Sequence, residues 1–130
     1  MEAGERRSGE MTFYVVRHGQ TLFNVMGKVQ GWCDTPLTDE GVRAAQSLGR
    51  GLAEVDFSAA YSSDSGRAVH TLDELLRARG SGVPFGPYDD MRLREWCYGD
   101  LEGEPGELLH ATLDVGFGAP LSFEEHNRRL

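Results

Sequence analysis

Lysine is almost absent: of 13 basic residues in this 130-residue chain, all but Lys28 are arginine, set against 21 acidic residues for a formal net charge of -8. A field of that sign repels nucleic acid and anionic lipid headgroups, which argues against both as partners. Any local anion site must then be built from planar arginine forks. Cysteine is scarce too. Cys33 and Cys97 lack zinc-site spacing and are too few for a disulfide-rich secreted scaffold, so the chain reads as reduced and cytoplasmic. No stretch approaches the roughly 20 apolar residues of a membrane span. No His/Asp/Glu cluster has metal-ligand spacing, and residues 1–10 lack the apolar core of a signal peptide. Residues 1–11 read as a flexible tail and residues 12–130 as one domain, with no cofactor implied.

What is there alternates. Thr12-Phe13-Tyr14-Val15-Val16 is a β-branched and aromatic run, expected as a strand buried on both faces. Residues 20–37 mix Gly, Asn, Asp and Pro and predict a long loop with at most a turn or two of helix. Thr38 is the expected N-cap of a first long helix, with Asp39 and Glu40 in its first turn and Val42, Ala45, Leu48 and Leu52 as its apolar face. Asp56-Phe57-Ser58-Ala59-Ala60-Tyr61 predicts a second strand, and Val69, Leu72, Leu75 and Leu76 mark a helix from Ser65 to near Gly80. Val83-Pro84-Phe85 is a candidate edge strand, and helical potential returns over residues 107–113 and from Ser122. Strand, helix, strand, helix implies an α/β fold with a mostly parallel sheet flanked by helices, in which ligands bind beyond the carboxyl ends of the strands.

Chemistry-bearing residues fall at those ends. Arg17 and His18 follow the first strand and Gly19 permits a sharp turn, while Arg67 follows the second strand in Ser62-Ser63-Asp64-Ser65-Gly66-Arg67. Two arginines at neighbouring strand ends can grip one phosphate.

Four blocks together carry a resemblance: Arg17-His18-Gly19-Gln20-Thr21 with Asn24; Leu37-Thr38-Asp39-Glu40-Gly41; Tyr61-Ser62-Ser63-Asp64-Ser65-Gly66-Arg67-Ala68; and Leu93-Arg94-Glu95-Trp96-Cys97-Tyr98-Gly99-Asp100-Leu101-Glu102-Gly103. In this order they resemble the histidine phosphatase superfamily, the phosphoglycerate mutase-like proteins. The resemblance implies a three-layer α/β fold and a phosphomonoester hydrolase acting on a small phosphorylated substrate through a phosphohistidine. It assigns His18 as nucleophile, Arg17 and Arg67 as phosphate ligands and Glu95 as proton donor, with Asn24, Gln30, Gly31 and Tyr98 lining the site. Glu102 reads as a support for the loop, His70 as structural, and Glu95 has a bland alternative as the ion-pair partner of Arg92 or Arg94.

The family's second histidine, in a His-Gly step after a later strand, has no match, since His110 and His126 precede Ala111 and Asn127. The resemblance therefore implies a partial domain that stops before that strand. An unpaired first strand would offer its edge to another copy, by homo-oligomer formation or strand exchange. The family's mutases carry further basic residues after the glutamate block, where this chain has Gly103-Glu104-Pro105-Gly106-Glu107. That favours a phosphatase. Mutase-type phosphotransfer and an inactive phosphate-binding remnant remain the alternatives.

Overall fold

The computed structural model describes residues 9–116. Most of the expected tail, the helix expected from Ser122, and His126 lie outside the described residues. In chain order the elements are α1 (Leu22–Met26), α2 (Asp39–Gly51), β1 (Ala59–Ser62), α3 (Gly66–Arg79), β2 (Phe85–Asp89), two 3-10 turns (Met91–Leu93 and Gly99–Leu101) and α4 (Gly106–Gly116). β1 and β2 pair in parallel, with Ala59 opposite Phe85 and Ser62 opposite Asp89. Among the described residues, no helix is long and apolar enough to cross a membrane.

α2 and α3 pack closely because small residues permit it. The hydroxyl of Thr38 caps α2 by accepting from Gly41 N at 3.1 Å. The buried residues of the helix are Gly41, Ala45 and Gly49, at four-residue spacing. This corrects the expected apolar face, since Leu48 is exposed. A Cβ at Gly49 would lie 2.2 Å from Leu75 O, so only glycine admits α3 at this distance. α3 answers with its own four-residue row, Arg67, Thr71, Leu75 and Arg79. Leucines marked the helix, but two arginines and a threonine are among the residues it buries.

Arg79 closes the far end. It donates to the carbonyls of Leu52, Val55, Ser81 and Gly82, and its guanidinium lies 5.1 Å from the Phe57 ring centroid. Chain entry to β1 and exit from α3 are thereby tied to one charged group.

Three strand expectations shift. Pro84 has no N–H to offer, so the ladder starts at Phe85 N, which donates to Ser58 O at 3.1 Å. β1 is correspondingly displaced from residues 56–61 to Ala59–Ser62. Residues 12–16 form no strand. Phe13 is 78% and Val15 94% exposed, and the run meets the sheet region through the Tyr14 ring, edge-on to Phe57 at 5.1 Å. Strand propensity describes how a side chain fits a pleated neighbour, and no described strand lies alongside to provide one.

Candidate active site

The turn after Val16 is held by backbone fit. Gly19 N donates to Thr71 Oγ1 at 3.0 Å, and that hydroxyl donates to Arg67 O at 2.7 Å, docking the His18 turn on the first turns of α3. A Cβ at Gly19 would meet Gly41 O at 2.6 Å, and one at Gly41 would meet Gln20 O at 2.3 Å. Two glycines thus let the turn press against the start of α2. His18 is half-buried, and its Nδ1 is 2.7 Å from Gly19 O. A carbonyl only accepts, so Nδ1 is the donor in this bond, and in the neutral ring the lone pair then lies on Nε2. Arg17 is exposed.

The loop after α1 is fixed from two sides. From one side comes Arg67, 3% exposed, whose Nη2 donates to Gly31 O at 2.7 Å and Nη1 to Cys33 O at 2.8 Å and Asp34 Oδ1 at 3.2 Å. Its Nε is buried with no partner among the described residues. From the other side, Glu102 accepts from the N–H groups of Gly31, Trp32, Cys33 and Tyr98 at 2.7–3.2 Å. Burial opposes ionisation of Glu102, but the Cys33 thiol and those N–H groups overcome it and bring its carboxyl down to about 2. Burial, reinforced by the Glu102 carboxylate, pushes the Cys33 thiol up. A Cβ on Gly31 would lie 2.0 Å from Trp96 O, so the loop and the glutamate block meet backbone to backbone.

Between this loop, the end of β1 and the glutamate block lies a cleft of about 270 Å³, lined in part by Gly31, Trp32, Asp34, Asp64, Arg94 and Glu95. The Glu95 carboxylate is exposed and accepts from Trp96 N at 2.9 Å. Neither nearby arginine takes it. Arg92 pairs with Asp90, and Arg94 grips Asp64 through two bonds of 2.6 and 2.7 Å. Tyr98 is half-buried; burial first, then the Glu95 and Glu102 charges, raise its phenol above the ordinary value.

Gly31, Glu95 and the loop held by Arg67 converge on the cleft, while His18 sits on the turn docked beside Arg67. Asn24 and Gln30 make hydrogen bonds within the chain, Asn24 from an exposed position and Gln30 from a half-buried one. Asn24 Oδ1 accepts from Thr21 N at 2.9 Å, closing a capping box on α1. The Gln30 amide bonds Thr21 Oγ1, Thr35 N and Thr35 Oγ1. His70 lies on the exposed side of α3 facing Glu74, and His110 is exposed on α4. The sequence reading missed Thr71, although a threonine one helical turn beyond the strand-end arginine was a usable signal. It also gave no role to Asp34, which accepts from both Arg67 N and Arg67 Nη1.

The parallel sheet and the helices packed with it form a phosphoglycerate mutase-like α/β fold. The pattern of the histidine phosphatase superfamily (branch 1) matches residues 13–128, and the chain belongs to that family. It is 41% identical over 97 residues to a 2,3-bisphosphoglycerate-dependent phosphoglycerate mutase of Nitrobacter hamburgensis, covering 72% of this chain and 46% of that protein. It is 38% identical over 98 residues to the mouse fructose-2,6-bisphosphatase TIGAR, covering 75% and 36%. The solved structure of Bacillus stearothermophilus YhfR superposes with a TM-score of 0.66 at 39% identity, over 76% of this chain and 47% of that one. The chain thus spans about half the length, or less, of these relatives.

Proposed function

We propose that this chain is a hydrolase of small phosphate monoesters that works through a phosphohistidine on His18. The observation that carries the reading is the Nδ1 bond of His18 to Gly19 O, which leaves Nε2 as the attacking atom of the neutral ring. Nε2 attacks phosphorus in line, the ester P–O bond breaks, and the leaving oxygen takes the proton of Glu95. Water then attacks phosphorus, the N–P bond breaks, and the proton of that water returns to Glu95. Arg17 and Arg67 offset charge on the equatorial oxygens. Arg17 is exposed and has no partner among the described residues, whereas Arg67 would exchange a loop carbonyl for phosphate or use its Nε, which has no partner among those residues. Asn24 and Gln30 shape the site through the Thr21 and Thr35 network, and Gly31 and Tyr98 form its wall.

Hydrolysis is favoured over mutase chemistry by charge. The cation lining the cleft, Arg94, is already paired with Asp64, and Asp34 and Glu95 are its lining neighbours. A substrate carboxylate would find acid there. A second reading, phosphate binding without turnover, is favoured by the cleft lining, which contains Glu95 and Arg94 but not His18. Hydrolysis of p-nitrophenyl phosphate by the full chain, abolished in His18→Ala, supports the hydrolase. Vanadate binding by folded protein without turnover supports the second reading.

A further inference from the structure

The Glu95 carboxylate is exposed and, among the described residues, is bonded to the N–H of its neighbour, so its position depends on what holds its backbone. Two ties do. Trp32 Nε1 donates to Glu95 O at 3.0 Å, and adjacent Arg94 grips Asp64 with Nε and Nη2 at 2.6 and 2.7 Å. The Arg94 guanidinium also lies 5.0 Å from the Trp32 ring centroid, so both ties meet at one aromatic side chain.

Trp32 and Asp64 both lead to Arg67. The carbonyls on either side of Trp32, those of Gly31 and Cys33, both accept from the Arg67 guanidinium. Asp64 stands three residues before Arg67. The contacts therefore close into a ring: Arg67, the loop carrying Trp32, Glu95 with Arg94, Asp64, and back along the chain to Arg67.

We propose that Arg94 is a positioning residue, acting with Asp64 and Trp32 to fix the proton donor Glu95 relative to the phosphate-holding Arg67; this rests on the proton-donor reading of Glu95. A partly exposed ion pair adds little stability on its own. A two-bond arginine–carboxylate fork does impose orientation, and stacking on Trp32 restricts it further. Both effects act on the residue next to Glu95.

The test compares kcat and KM of the full chain on p-nitrophenyl phosphate, whose leaving group needs no proton, and on glycerol phosphate, whose alkoxide does. A general acid contributes roughly 10²- to 10⁴-fold. Arg94→Ala is expected to reduce kcat on glycerol phosphate at least about tenfold more than on p-nitrophenyl phosphate, with little change in KM. Arg94→Lys should recover little, since one ammonium cannot make both bonds and the stack, and Trp32→Phe should show the same substrate bias. Equal losses on both substrates, or none, would overturn the inference. The indole N–H resonance of Trp32, assigned with Trp96→Phe, gives a readout independent of turnover: Arg94→Ala should shift it and speed its exchange with solvent. An unmoved resonance would also overturn the inference. Failure of the underlying reading looks different, since Glu95→Gln would then slow both substrates alike.

Discussion

Replacing Glu102 by Gln tests the architecture of the site loop. The carboxylate accepts four backbone N–H groups, three from the loop and one from Tyr98, and Gln would turn a donor toward some of them. Each pH unit between folded and unfolded pKa is worth about 1.4 kcal/mol. The fall of Glu102 from 4.5 to about 2 thus corresponds to about 3 kcal/mol, which partial exposure reduces to about 2 kcal/mol. For a domain of this size that loss lowers Tm by about 8 °C. Because the folded pKa is depressed, the stabilisation is fully present above 4.5 and is lost as pH falls toward about 2. Thermal unfolding followed by circular dichroism at pH 7 and at pH 3 reads both quantities. The native chain should exceed Glu102→Gln by about 8 °C at pH 7, and the gap should narrow at pH 3. A variant as stable as the native chain at pH 7, or a gap that does not change with pH, would refute the reasoning.

Gly41→Ala places a methyl 2.3 Å from Gln20 O; denaturant unfolding should show a loss of about 1–3 kcal/mol, and p-nitrophenyl phosphate turnover should fall with it because His18 shares that turn. Arg79→Ala removes the donor of four carbonyls and the stack on Phe57, and the same measurement should record a loss of about 2–3 kcal/mol. Cys33, half-buried against the Glu102 carboxylate, should react with iodoacetamide at pH 8 more slowly than a free cysteine, and Glu102→Gln should speed it.

The helices and the site blocks were legible because their signals are local. Thr38 caps α2 as its sequence implies, and Gly80 ends α3 in the left-handed conformation that favours glycine. Glu102 as loop support was legible too, and the four N–H bonds it accepts show how it acts. What escaped depends on partners distant in sequence. The row Arg67, Thr71, Leu75 and Arg79 reads as polar until the carbonyls of Gly31, Cys33 and Leu52 are seen to satisfy its arginines. Gly41 reads as a helix-weakening residue until the turn after His18 lies against it. Residues 12–16 had strand composition, but a ladder needs a second chain segment that composition does not specify. The resemblance assigns Asn24 and Gln30 to the substrate site, and the structure adds the partners it could not name: Thr21 for Asn24, and Thr21 and Thr35 for Gln30.

The central claim is that His18 Nε2 becomes phosphorylated. The direct measurement is rapid quench of the full chain during turnover of p-nitrophenyl phosphate, followed by peptide mass spectrometry and nitrogen-resolved NMR of the labelled histidine. The account predicts an acid-labile phosphoryl group on His18 Nε2 that forms and decays at rates consistent with turnover and is absent from His18→Ala. Turnover that persists in His18→Ala, or a phosphoryl group carried on another residue, would contradict it.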